Sequence, residues 1–127
     1  MQMKGQVTVE YLLLFSLALV LIAFALGALA IIKDTEDQLT SLKQAEIAAA
    51  TLGSAGDSAC ALGSGNSRTV ELEWVVELDC SGNEIEAIVN GQSAVSALEH
   101  CEISSCEGRG SFRVINNEFG EIEIGEK

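Results

Sequence analysis

The chain has 127 residues, which is enough for one small domain and too few for several. It carries 19 acidic and 7 basic residues, giving a formal net charge of −12, and the basic residues are scattered along the sequence. Because binding to phosphates requires a concentrated basic surface, this balance argues against nucleic acid as a partner.

An uncharged apolar stretch near the N-terminus dominates the sequence. No charged residue occurs from Tyr11 to Ile32, and a helix of about 22 apolar residues can cross the hydrocarbon core of a bilayer. A short leader containing Lys4 precedes the stretch, and one acid, Glu10, stands at its entrance. The pattern alone allows a secretory signal peptide cut after Ala30 or an uncleaved single-pass anchor. The stretch is long for a signal peptide, and neither interpretation explains the acid.

A third interpretation comes from the residues at the start of the stretch. Residues 4–14 read KGQVTVEYLLL. A basic leader ending in glycine, then glutamine, a hydroxyl residue, an acid and a leucine at fixed offsets, resembles the class III signal peptide of archaeal type IV pilin-like proteins. That family usually has serine at the hydroxyl position, where this chain has threonine. The matching residues are Lys4, Gly5, Gln6, Thr8, Glu10 and Leu14.

The resemblance implies that a prepilin-peptidase-like membrane protease removes leader 1–5 by cutting between Gly5 and Gln6. The mature chain would keep its apolar helix (6–32), reside in the membrane as a single-pass protein, and then polymerise with other pilin subunits into a cell-surface filament used for adhesion. In the filament core we expect the Glu10 carboxylate to pair with the Gln6 α-amine of a neighbouring subunit; the alternative is that Glu10 only lies among the lipid headgroups, favourably near the helix N-terminus. A charge-assisted hydrogen bond in a low-dielectric core would select the register of assembly.

Beyond Ile32, an amphipathic continuation of the helix is predicted over residues 33–52, which makes the long helix 6–52. Its apolar residues recur at three- and four-residue spacing and form one stripe on which a head can pack. They are Leu39, Leu42, Ala45, Ala49 and Leu52. Gly53 is predicted to cap the helix, and the Gly/Ser-rich residues 53–68 are predicted to form a loop.

Residues 69–127 predict a β-rich head. Alternating apolar residues predict a strand over 70–78, with Trp74 as its core anchor, and a returning strand over 85–89 after a turn at 81–83. Asn90-Gly91 is a strong turn signal, residues 93–100 predict a short helix, and 112–115 and 121–124 predict a hairpin. The predicted fold class is α+β: a long apolar N-terminal helix with a small antiparallel head of about four strands, as in the pilin lollipop.

Four cysteines, Cys60, Cys80, Cys101 and Cys106, follow the apolar stretch. An even number in a small exported head predicts two disulfides. The short spacing favours Cys101 with Cys106, leaving Cys60 with Cys80. Alternatively, Cys60 ties the end of the helix to the C-terminal half.

No arrangement of residues in the sequence points to catalysis or to a metal. The single histidine, His100, has no evident nucleophile or acid partner set, and the cysteines lack the paired spacing of zinc sites. We therefore predict a non-enzymatic protein without cofactor or metal. The interpretation we favour is a structural pilin subunit, and the alternative is a non-polymerising binding domain, either anchored in the membrane or secreted and held by disulfides.

Overall fold

One long helix and seven strands make up the described part of the chain. The computed structural model describes the backbone of residues 3–127 and the side chains of residues 7–127. Helix α1 is Met3–Leu62. The chain divides into two units, Met1–Asp37 and Gln38–Lys127. In the first unit the described residues are all helical, and the second holds the rest of α1 and every strand.

The strands of the second unit form two sheets. Their bounds are β1 Ser67–Glu71, β2 Glu77–Ser81, β3 Glu84–Val89, β4 Gln92–Ala97, β5 Ile103–Cys106, β6 Ser111–Asn116 and β7 Ile122–Glu126. The four-stranded sheet has the order β1-β6-β7-β5 and the three-stranded sheet the order β2-β3-β4. All pairs are antiparallel except β5 with β7. The predicted α+β class is therefore confirmed, with more strands than the sequence suggested.

A single hydrophobic core joins the helix to both sheets. The helix contributes mainly alanines, with Leu52 as its one large side chain, because small residues let a sheet approach closely. The sheets contribute larger residues, of which Phe112 is the biggest. Of the predicted helix stripe, Ala45, Ala49 and Leu52 are buried, whereas Leu39 and Leu42 remain exposed.

The helix continues past the predicted cap at Gly53, through residues predicted to be a loop, and ends at Leu62. Gly53 therefore lies inside the helix and does not end it. A larger residue is excluded there, because a Cβ would collide with the hydroxyl of Ser96 on β4. Glycine thus permits close contact between helix and sheet at this position. The real cap is Gly63, whose φ of 88° is left-handed and whose N–H donates to the Cys60 carbonyl at 3.1 Å.

Two polar side chains complete the end of the helix. The Asn66 side-chain amide donates to the carbonyl oxygen of Leu62 at 2.8 Å. Asn116 on β6 is buried and donates from Nδ2 to the carbonyl oxygen of Ala59 at 3.2 Å. The last helical carbonyls would otherwise lack partners, so these amides fix the point at which the chain turns towards the sheets.

The predicted short helix over 93–100 is wrong, because residues 92–97 form β4. The Asn90-Gly91 turn decides this, since both residues have positive φ (49° and 81°) and return the chain as a tight hairpin paired with β3. The predicted strand over 70–78 is also not continuous: it divides into β1 and β2, in different sheets, around an irregular segment at Trp74.

The four cysteines form the predicted two disulfides, but the favoured local pairing is wrong. Cys60 bonds to Cys101, and Cys80 bonds to Cys106. The first bond ties the last turn of α1 to the segment before β5, which is the alternative that the sequence left open. The second joins β2 of one sheet to β5 of the other. Spacing favoured a short loop, whereas the packing of β2 against β5, between the two sheets, places Cys106 beside Cys80.

Candidate functional site

The most conspicuous surface of the first unit is its apolar helix. From residue 7 to residue 32, every large apolar side chain is at least half exposed, from 51% for Val20 to 75% for Phe24. Soluble monomers rarely expose continuous apolar surface on this scale, which therefore indicates contact with lipid or with other proteins. The helix is long and apolar enough to cross a membrane, and a membrane anchor and a signal sequence share that property.

The N-terminal motif lies partly within the described side chains. Lys4, Gly5 and Gln6, which include the predicted processing site, lie outside the residues whose side chains the structure describes. Thr8, Glu10 and Leu14 lie on α1.

Because successive residues of a helix are rotated by about 100°, Glu10 and Leu14 share a face and Thr8 points elsewhere. Of the motif residues whose side chains the structure describes, it thus brings together the acid and the leucine. With Tyr11 and Leu13 they line a shallow depression on the helix surface, and Glu10 forms no ion pair with another described residue. The carboxylate is therefore presented among apolar side chains.

Small residues open a second depression further along the same helix. It is lined by Ala23, Phe24, Gly27, Ala28 and Ile31. A Cβ added to Gly27 would meet no atom within 4 Å. The glycine is therefore not needed for packing inside this chain, and the depression is accessible to another helix.

The second unit has the chemistry of an exported domain. Its two disulfides include all four cysteines, and such bonds persist in oxidising compartments. Together with the apolar helix, they indicate exposure outside the cytoplasm.

The residues that the structure describes contain no group of three or more His, Cys, Asp or Glu side chains placed to hold a metal ion. His100 is exposed on the surface, with Nε2 3.9 Å from the Glu99 carboxylate.

Sequence reasoning missed an apolar groove on the second unit. Trp74, which was predicted as a core anchor, packs partly against the core. Its indole N–H is buried and has no acceptor among the described residues. The rest of the ring forms one wall of the groove. The other wall is one face of α1, made by Leu39, Thr40, Lys43, Gln44 and Ile47. The sequence feature that could have indicated this groove is the four-residue spacing of Leu39, Lys43 and Ile47. That spacing places the three residues on a second face of the helix, beside the buried face.

Comparisons with protein families, with curated proteins and with solved structures give no match for this chain. The class that fold and chemistry define is therefore a small disulfide-bonded α+β domain with a long, exposed, apolar N-terminal helix.

Proposed function

We propose that the chain is a structural subunit of an archaeal type IV pilus-like filament. In this proposal a prepilin-peptidase-like membrane protease cuts between Gly5 and Gln6, and the mature subunit resides in the membrane before assembly. Subunits then assemble through their apolar helices, with the disulfide-bonded domain outside. The proposal assigns the chain no catalytic activity. Adhesion follows from the resemblance alone.

The observation that carries the proposal is the combination of the motif with an apolar helix whose large side chains are exposed from residue 7 to residue 32. A lone anchor needs apolar residues but has no use for an acid at a fixed offset from a Gly–Gln junction. In a filament, Glu10 gains a cationic partner in the α-amine of a neighbouring Gln6. Burial of the apolar side chains, at roughly 25 cal/mol per Å², favours both the membrane-inserted and the assembled state over exposure to water.

The mature N-terminus separates the proposal from its alternatives. Mass spectrometry of the protein from its native host should find a chain beginning at Gln6. A start at Ile31 would instead identify a secreted domain released from a signal peptide, and a start at Met1 a plain membrane anchor. Either result would overturn the proposal.

Glu10→Gln tests assembly independently of processing. We expect the variant to be cleaved normally but to yield no filaments in electron micrographs, because a neutral amide cannot form an ion pair with the new α-amine. Glu36→Gln is the matched control, since Glu36 is also exposed on α1 but lies beyond the apolar stretch. Normal filaments from Glu10→Gln would contradict the assigned role.

A further inference from the structure

The tip of the β6–β7 hairpin presents an isolated aromatic side chain. Phe119 is 88% exposed, the most exposed large apolar residue among those that the structure describes. It makes no contribution to the core of its own domain. The phenyl ring is therefore accessible to another molecule.

The loop that carries Phe119 is held in shape by hydrogen bonds. The Asn117 side-chain oxygen accepts from the backbone N–H groups of Phe119 and Glu121, both at 2.9 Å. The backbone N–H of Asn117 donates to the carbonyl oxygen of Glu121 at 2.9 Å, and that of Gly120 donates to the carbonyl of Asn117 at 3.1 Å. The tip is therefore ordered before any binding, which reduces the entropy lost on association.

The groove beside Trp74 matches this tip in apolar character and in charge. Its walls are apolar, with Leu39 60% and Ile47 46% exposed, so an inserted ring would displace water from carbon surfaces. Lys43 lies at the groove and forms only an exposed ion pair with Glu46, a kind of pair that contributes little to stability. An incoming acid can therefore compete with Glu46 for the Lys43 ammonium group.

We propose that Phe119 of one copy inserts into the Trp74 groove of a second copy, with Glu118 meeting Lys43. Tip and groove are different surfaces of the same domain, so the contact is heterologous. Repeated from copy to copy, a heterologous contact produces an open chain of subunits when its rotation does not close into a ring. An open chain is the arrangement that a filament needs. This contact rests on the proposed function, because filament assembly is what would bring two copies together.

Site-directed cross-linking of the full chain tests this contact. One population carries Phe119→Cys and the other Thr40→Cys, each with its own affinity tag; the native cysteines are all in disulfides. After co-assembly and treatment with a short thiol–thiol reagent, we expect a cross-linked dimer bearing both tags. The matched control pairs Phe119→Cys with Val95→Cys, because Val95 is 58% exposed on β4 and lies outside tip and groove. Equal cross-linking to both partners, or none to Thr40→Cys, would overturn the contact.

Substitutions that preserve the fold give a second readout. Phe119→Ser should weaken association between heads about 30-fold, the loss typical of an aromatic hot spot, whereas Val95→Ser should have no effect. Lys43→Glu should weaken it too, and Glu118→Lys in the same chain should restore it. Failure of the charge swap to restore association would contradict the pairing of Glu118 with Lys43.

The outcomes for this contact and for the proposed function are distinguishable. Filaments that form normally without the cross-link between tip and groove refute the contact and leave the pilin proposal standing. In the opposite outcome, full chains in detergent micelles form the cross-link, but the wild-type chain never forms filaments. That result supports the contact and refutes the filament.

Discussion

Removing the disulfide between Cys60 and Cys101 should destabilise the second unit by about 4 kcal/mol. The bond joins residues 41 apart in sequence, and the loop-closure entropy that such a cross-link removes from the unfolded chain corresponds to about 4 kcal/mol at 25 °C. A domain of this size has a free energy of unfolding of roughly 5–15 kcal/mol. The double variant Cys60→Ser/Cys101→Ser should therefore remain folded near room temperature, with a much smaller free energy of unfolding.

Urea unfolding of the full chain in detergent micelles measures this effect, with the emission of Trp74, the only tryptophan, as the signal. With a slope near 2 kcal/mol per M, the midpoint should fall by about 2 M. The control Cys80→Ser/Cys106→Ser opens a loop of separation 26 and should lose slightly less, about 3.5 kcal/mol. A loss below about 1 kcal/mol for the first variant would refute the chain-entropy reasoning. Peptide mapping that finds Cys101 joined to Cys106 would refute the pairing itself.

Three further substitutions test the packing of the second unit in the same urea assay. Leu52→Ala should cost about 2–5 kcal/mol, because it leaves a cavity at the one large helix side chain in the core. Asn116→Ala should cost about 1–3 kcal/mol, because a buried carbonyl at the end of α1 loses its donor. Gly53→Val should cost about 1–3 kcal/mol through the collision with Ser96. Gly27→Val should cost nothing measurable, because a Cβ at Gly27 meets no atom of the chain within 4 Å. A destabilised Gly27→Val, or neutral results for the other three, would contradict these assignments.

The features that were predictable from sequence are those set by local patterns. A long run of apolar residues gives the helix, and the Asn90-Gly91 pair gives a hairpin, because positive φ at two successive residues allows few other conformations. The alternation in 85–89 and the residues around 112–124 likewise gave strands in their correct places. Each of these depends on residues close together in the chain.

The features that were missed depend on contacts between distant residues. Gly53 looks like a helix terminator until Ser96 is placed against it. Cys101 has a thiol five positions away, yet its partner is Cys60, which the end of α1 brings to it. The Trp74 groove needs the helix and the segment between β1 and β2 side by side. The exposure of Phe119, between the two predicted strands of the 112–124 hairpin, was missed because no local pattern reveals that its side chain is uncovered.

The two disulfides are interleaved along the chain, and this has a consequence for the order of folding. In the reduced, unfolded chain, closing the short loop between Cys101 and Cys106 is easier than closing the 41-residue separation of the native bond, by about 2 kcal/mol of entropy. Oxidation before folding would therefore accumulate the wrong bond. The native bonds are favoured only once the end of α1 has packed against the sheets. This domain must therefore fold before its cysteines oxidise, or a disulfide isomerase must correct the pairing.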